Sequence, residues 1–187
     1  MISYPKDGAG RPEDGPWFTT DSIRFLDSYI KKDTKILEFG SGRSTVWMAK
    51  RSDYVVSVED DPEWAQWVRE NAQNATILVS PLLQSPTIAD NYPDEHFDLI
   101  ILDSDSPVSG EDVRVQCAEK SIRILKKGGI LFLDNAERAF YRPVMDKLKN
   151  NYSKILYLTD GWEVWFTNEH PVKQHGNWYS TWWMRPK

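Results

Sequence analysis

The sequence predicts an α/β fold, a mostly parallel sheet with helices on both faces and one antiparallel pair at its end. Three observations carry this. Five short β-rich runs alternate with segments of helical periodicity, and no internal repeat interrupts them. Two further β-like runs, 154–158 and 163–167, are joined by residues 159–162 alone. So short a link cannot carry a parallel crossover, which needs about a dozen residues, so the pair is expected to be antiparallel.

The elements follow in order. Ile23, Leu26 and Ile30 mark an introductory helix. Residues 35–39 (KILEF) read as a short buried strand that runs into Gly40-Ser41-Gly42, after which 44–51 is helix-compatible. Residues 54–59 (YVVSVE) form a second strand ending in Asp60-Asp61-Pro62, an N-cap acid followed by proline at the first helical position. The next helix sets Trp64, Trp67 and Val68 on one face, so both tryptophans read as packing. Residues 75–79 and 97–102 (FDLIIL) are the third and fourth strands, separated by a Pro-containing loop. Val115, Ala118, Ile122 and Leu125 recur at helical spacing, Gly128-Gly129 ends that helix, and 130–133 is the fifth strand. Val144, Met145 and Leu148 suggest one more helix, with Pro143 near its start.

At 187 residues the chain has room for one domain, spanning 1–187. It divides into an N-terminal segment (1–18), a core (20–167) and an aromatic tail (170–187). Hydrophobic residues at 40% and charged ones at 27% exclude collagen-like and disordered classes. No apolar run approaches the roughly 18 residues of a membrane span, and the N-terminus has no secretory pattern. The single cysteine, Cys117, lies on an apolar helical face, which fits a core role and a reducing, cytoplasmic location. Net charge is −5, and eight acids with no Lys or Arg fall between Pro86 and Val113. Phosphate binding rests on clustered basic residues, so a nucleic-acid partner is not expected. The expected partner is a small molecule, with no membrane association, for a monomer or homodimer.

Ligands of such sheets bind outside the carboxyl ends of the strands. Those ends carry Glu38-Phe39-Gly40-Ser41-Gly42, Glu59-Asp60, Asp103 and Asp134-Asn135. The glycines let backbone approach a ligand, and Ser44 and Thr45 add hydroxyl donors at the following helix start. Glu59, 19 residues after Gly40, is near the spacing at which an acid grips ribose hydroxyls, which favours an adenosine-containing ligand. A dinucleotide fingerprint would want a glycine at Thr45 and an apolar residue at Glu38, and neither is present.

At these residues the chain resembles the class I S-adenosylmethionine-dependent methyltransferases. The parallels are Glu38-Phe39-Gly40-Ser41-Gly42, Glu59, FDLIILD (97–103), LKKGGILFLD (125–134) and the closing hairpin, over roughly residues 20 to 167. The loop, GSGRST, has Ser44 where the family usually has a third glycine, a variant associated with small bacterial members. The resemblance implies a Rossmann-like seven-stranded sheet and S-adenosylmethionine as cofactor. It implies Glu38 near the methionine amine, Glu59 on the ribose, Asp60 or its neighbours beside the adenine, and Phe39, Ser41, Ser44, Thr45 and Asp103 in the same binding set.

Methyl transfer from a sulfonium is an in-line displacement that needs a held nucleophile and a route for its proton. Asp103, Asp134 and Asn135 are the candidate catalytic residues. They offer three oxygen ligands that suit Mg²⁺ or another divalent cation. This looks like the metal triad of the catechol and caffeoyl-coenzyme A O-methyltransferases, but the lysine base of that group is replaced by Ser106. Asp105 is then the nearest acid for the proton. The alternative is that Asp134-Asn135 turns the chain while Asp103 bonds the cofactor amine. Glu137, Arg138 and His175 are further polar candidates, and Trp17, Trp178, Trp182 and Trp183 lie in the two ends outside the common fold. The tail is read as a lid, as packing on the domain, or as a dimer contact. The expected activity is O-methylation of a small molecule, possible metal assistance included. The alternatives are a metal-independent N- or O-methyltransferase, a silent cofactor-binding module, or an oxidoreductase.

Overall fold

The computed structural model describes residues 15–18, 20–104 and 113–135, together with the backbone of strands at 154–159, 166–167, 170–171 and 179–184. In chain order the elements are α1 (Thr20–Tyr29), β1 (Lys35–Phe39), α2 (Arg43–Ala49), β2 (Tyr54–Glu59), α3 (Pro62–Asn71), β3 (Ala75–Val79), a 3₁₀ segment (Leu82–Asn91), β4 (Phe97–Leu102), α4 (Val113–Ile124) and β5 (Leu125–Asp134). Then come β6 (Lys154–Thr159), β7 (Phe166–Thr167), β8 (His170–Pro171) and β9 (Tyr179–Met184). The first four strands match the sequence reading residue for residue. Asp61 caps α3 as expected, its carboxylate accepting from the backbone N–H of Glu63 and Trp64.

The first five strands form a parallel ladder in the order β3-β2-β1-β4-β5. The chain builds outward from β1 to β3, then returns to the other side of β1 for β4 and β5. Strand order therefore reverses between β1 and β4, the place where open α/β sheets hold their ligands.

Successive side chains of a strand point to opposite faces, and the two faces fill separately. Leu37, Phe39, Val58, Ile100, Leu102 and Leu133 share one core with Val113, Cys117 and Ala118 of α4. Ile36, Val55, Leu99, Ile101 and Phe132 share the other with Phe18, with Leu26 of α1 and with Trp47 and Met48 of α2. Farther out on that second face, Ala65 and Val68 of α3 meet Val46, Ala49 and Ile77. Fully burying a side chain such as Phe39 or Phe132 stabilises by roughly 1.5–3 kcal/mol. The middle strands, rather than the margin where Val79 is 43% exposed, therefore anchor the fold.

Three expectations are corrected. The run at 154–158 is a strand, but its antiparallel partner is β9, not 163–167; β9 lies between β5 and β6 and is antiparallel to both. Within 163–167, β7 (166–167) pairs with β8 in a separate two-stranded sheet. Tyr, Thr and Trp favour strands, and β9 carries all three over six residues, enough to compete for both neighbours. Next, the helix before β5 ends at Ile124, not at Gly128-Gly129. Leu125 already pairs with Phe97, and the ladder resumes at Leu99 and Ile130, so the intervening residues bulge out, with Gly128 at φ 76. Finally, the expected loop between β3 and β4 is largely the 3₁₀ segment, with Pro86 inside it. The expected helix around Val144–Leu148, and Asp105, Ser106, Glu137, Arg138, His175 and Trp178, lie outside the described residues.

The loop after β1 rests directly on the end of β4. Gly40 has φ +95, and a Cβ there would stand 2.6 Å from the backbone of Asp103 and of Ser104. At Gly42 the nearest atoms to a Cβ would be in the Trp64 ring, at 3.8 and 3.9 Å. Gly40→Ala combines a disfavoured φ with backbone overlap and is expected to lower the unfolding free energy by about 3 kcal/mol. Gly42→Ala is expected to change it by less than about 1 kcal/mol. Urea unfolding of the two variants checks this, and equal losses would contradict the packing described.

Candidate functional site

Strand register brings the carboxyl ends into one row. Phe39 is opposite Val58 on one side and Leu102 on the other, and Leu102 is opposite Leu133. Gly40, Glu59, Asp103 and Asp134 therefore emerge together at the top of four adjacent strands. Two backbone bonds lock the centre of the row: Gly40 N–H to the Val58 carbonyl and Asp103 N–H to the Phe39 carbonyl, both 2.8 Å.

Glu38 is fully buried beneath the glycine loop. Register sets Ser57 beside it on the same face, and the Ser57 hydroxyl donates to its carboxylate at 2.8 Å. The hydroxyls of Ser44 and Thr45, in the first turn of α2, donate to the same carboxylate. Thr45 Oγ1 also accepts from the Gly42 N–H at 2.9 Å. One acid thus ties the loop and the start of α2 to the sheet. Burial pushes its pKa up to about 7 from 4.5, against the pull of the three hydroxyls; Asp103's charge adds to the rise.

Glu59 does the same work from β2 using backbone donors. Its Oε2 accepts from Ser41 N–H at 2.9 Å, and its Oε1 from Asp60 and Asp61 N–H at 3.1 and 3.0 Å. Burial raises its pKa, the backbone bonds oppose this, and the Asp60 charge reinforces it. Asp60 itself is exposed.

Two residues that sequence reasoning did not assign to the site belong to it. Trp64, read as packing, is 40% exposed; it donates Nε1–H to the Ser41 carbonyl at 2.7 Å and stacks on Trp67 at 4.8 Å. Arg114, in the first turn of α4, is 2% exposed. Its Nε donates to the Ser104 carbonyl at 2.5 Å, its Nη1 to the Asp134 carbonyl at 2.8 Å, and its Nη2 faces Asp103 Oδ1 at 3.4 Å. A signal for it was available. A cation in a helix's first turn opposes the helix dipole, and an arginine between Val113 and Val115 there has to find acceptors.

Asp134 and Asn135 are buried at 4% and 7%, and Asn135 turns the chain with φ 54. The Asp103 side chain keeps 27% of its surface exposed. Beside it the Ser104 hydroxyl is buried and has no hydrogen-bond partner among the described residues. Among the described residues no group of three His, Cys, Asp or Glu side chains could hold a metal ion.

Comparison with known proteins decides what this row of acids around a glycine loop belongs to. The family model of a methyltransferase domain matches residues 37–136, just over half of the chain. The chain belongs to the class I S-adenosylmethionine-dependent methyltransferases. No curated protein matches it. Among solved structures it is similar to the tRNA (m1A58) methyltransferase TrmI from Aquifex aeolicus, with a TM-score of 0.65 and 15% identity over 89% of this chain and 68% of that one. It is similar to a TehB-like methyltransferase from Corynebacterium glutamicum, with a TM-score of 0.60 and 17% identity over 95% and 90%. It is also similar to a Streptococcus mutans protein solved in complex with SAH, with a TM-score of 0.62 and 15% identity over 88% and 95%. At these identities the likeness shows the α/β Rossmann-like fold with its five parallel strands. No helix among the described residues of this methyltransferase is long and apolar enough to cross a membrane.

The residues present fit the cofactor. At Gly42 the loop leaves ordinary contact room beside the Trp64 ring, and the Ser104 hydroxyl at the end of β4 is a buried polar group with no partner among the described residues. Glu38 yields a pH prediction. Its carboxyl holds a proton more tightly folded than unfolded, so its contribution to stability is fully present below about pH 4.5 and lost as pH rises through about 7. Glu38→Gln removes that loss. Its stability relative to the parent is expected to improve between pH 5 and pH 8, by up to about 3 kcal/mol. Thermal unfolding at the two pH values checks this; a pH-independent difference would refute it.

Proposed function

We propose that this methyltransferase transfers the methyl group of S-adenosylmethionine to a small molecule, with oxygen the favoured acceptor and no divalent ion at Asp103, Asp134 and Asn135. The observation that carries the reading is the pair of buried acids, Glu38 and Glu59, gripping one glycine loop at the reversal between β1 and β4. In this reading Glu38 with Phe39, Gly40, Ser41, Gly42, Ser44 and Thr45 shapes the methionine end, Glu59 holds the ribose and Asp60 borders the adenine. The sheet is taken as the family's seven-stranded one, with β9 as the strand that runs against the other six.

The donor set does not fit a divalent cation. Asp103 already faces a guanidinium, so an ion there would meet a like charge at close range. The chemistry is then carried by the chain's own groups. The acceptor oxygen attacks the methyl carbon in line with the departing sulfur; the C–O bond forms as the C–S bond breaks. In this reading Asp103, the more exposed of the two aspartates, takes the acceptor's proton. Asp134 and Asn135 orient the acceptor through the end of β5.

A small acceptor suits the charge pattern. Lys32, Arg51, Lys120, Arg123, Lys126 and Lys127 each pair with an acid, so these cations form no free stripe for a phosphate backbone. Cys117, the one cysteine, is buried in the core, in keeping with a reducing, cytoplasmic setting.

Calorimetry tests the reading. S-adenosylmethionine and S-adenosylhomocysteine are expected to bind one to one, and NAD not at all. Glu59→Ala is expected to weaken both by about tenfold or more. NAD binding, or no binding of either adenosyl compound, would overturn it.

A further inference from the structure

We propose that Arg114 is the resident cation of this site, a positioning residue that ties the carboxyl ends of β4 and β5 together and occupies electrostatically the place a divalent ion would need. This rests on the reading above, that Asp103 faces the methyl-transfer centre.

Arg114 is the one buried basic side chain among the described residues. Two of its donors go to backbone carbonyls on adjacent strand ends, Ser104 and Asp134, and a third faces the Asp103 carboxylate. A planar guanidinium spans three such acceptors in one plane, which an ammonium cannot do. The arrangement also overcomes two penalties, burial of the charge and its place at a helix N-terminus. Acceptors on both strand ends help to compensate for them.

Arg114 also acts on the cofactor loop. Its Nε holds the Ser104 carbonyl, and the Asp103–Ser104 backbone is the surface on which Gly40 rests. Loosening the guanidinium loosens the support of the loop without touching any group of the loop itself. The same charge bars a metal. With a neutral side chain in its place, the repulsion of a metal ion near Asp103 is gone.

Mn²⁺ titration followed by electron paramagnetic resonance, together with calorimetry using S-adenosylhomocysteine, tests this on the full chain. The parent protein is expected to bind no Mn²⁺ at millimolar concentration. Arg114→Gln is expected to bind one Mn²⁺ per chain, and Arg114→Gln with Asp103→Asn to lose it again. Arg114→Lys keeps the charge and guards against misfolding of the Gln variant. It is expected to go on excluding Mn²⁺ while its affinity for S-adenosylhomocysteine falls about tenfold with a similar melting temperature. Mn²⁺ bound by the parent and lost in Asp103→Asn would overturn the proposal. So would a folded Arg114→Gln that takes up no Mn²⁺, or an Arg114→Lys of unchanged affinity. If the parent fails to bind S-adenosylhomocysteine, the functional reading fails instead, whatever the Mn²⁺ arms give.

Discussion

The contact on which the rest of the site depends is the one between the backbone of Gly40 and the two residues that follow β4, Asp103 and Ser104. In a sheet whose order reverses at β1 and β4, the two chains leaving those strands part in opposite directions and open a crevice. How deep the crevice is depends on how far the β1 loop can sink before it meets β4. With no Cβ at Gly40, the loop sinks until its backbone lies against the Asp103–Ser104 peptide. The Glu59 bond to Ser41 N–H, the Trp64 bond to the Ser41 carbonyl and the Glu38 bonds to Ser44 and Thr45 are all made at that height. A residue that raised the loop by an ångström would strain each of them at once.

The acids beneath the loop are placed at an energetic cost. Glu38 accepts from three hydroxyls, Glu59 accepts from three backbone N–H groups, and each acid's pKa is raised, chiefly by burial and in part by a neighbouring aspartate. The hydrogen bonds to each acid oppose the rise. Rigidity comes from the same bonds: Ser57, Ser44 and Thr45 can donate to Glu38 only while α2, β1 and β2 keep their spacing.

Much of this was legible in the residues. Strands β1 to β4, the Asp61 cap and the acid at each strand end follow from local pattern, because alternation, capping and turn chemistry are properties of short segments. The partner of β6 was not legible. Pairing of distant strands is decided by which segment fills the gap beside β5, and loop length speaks only to neighbours in sequence. Trp64 was misassigned for a similar reason. Helical spacing says that Trp64 and Trp67 share a face, which they do in their stack, but not whether that face meets the core or the glycine loop. Arg114 carried a readable warning in its position, yet two of its acceptors are backbone carbonyls, which no side-chain pattern reveals.

The insertion of β9 changes what kind of strand end Asp134 is. Without it, β5 would border the sheet, and Asp134 would sit at a margin open to water. Asp134 is registered with Ser180 of β9, and the ladder continues to β6. The row of strand ends is therefore flanked on both sides, and Asp134 is nearly as buried as the core around it. Its carbonyl needs an internal donor under those conditions, since an unpaired buried acceptor costs about 1–3 kcal/mol. Arg114 supplies that donor. The chain's own C-terminal strand thus sets the demand that the guanidinium meets, and it links the part of the fold most distant in sequence to the geometry of the site.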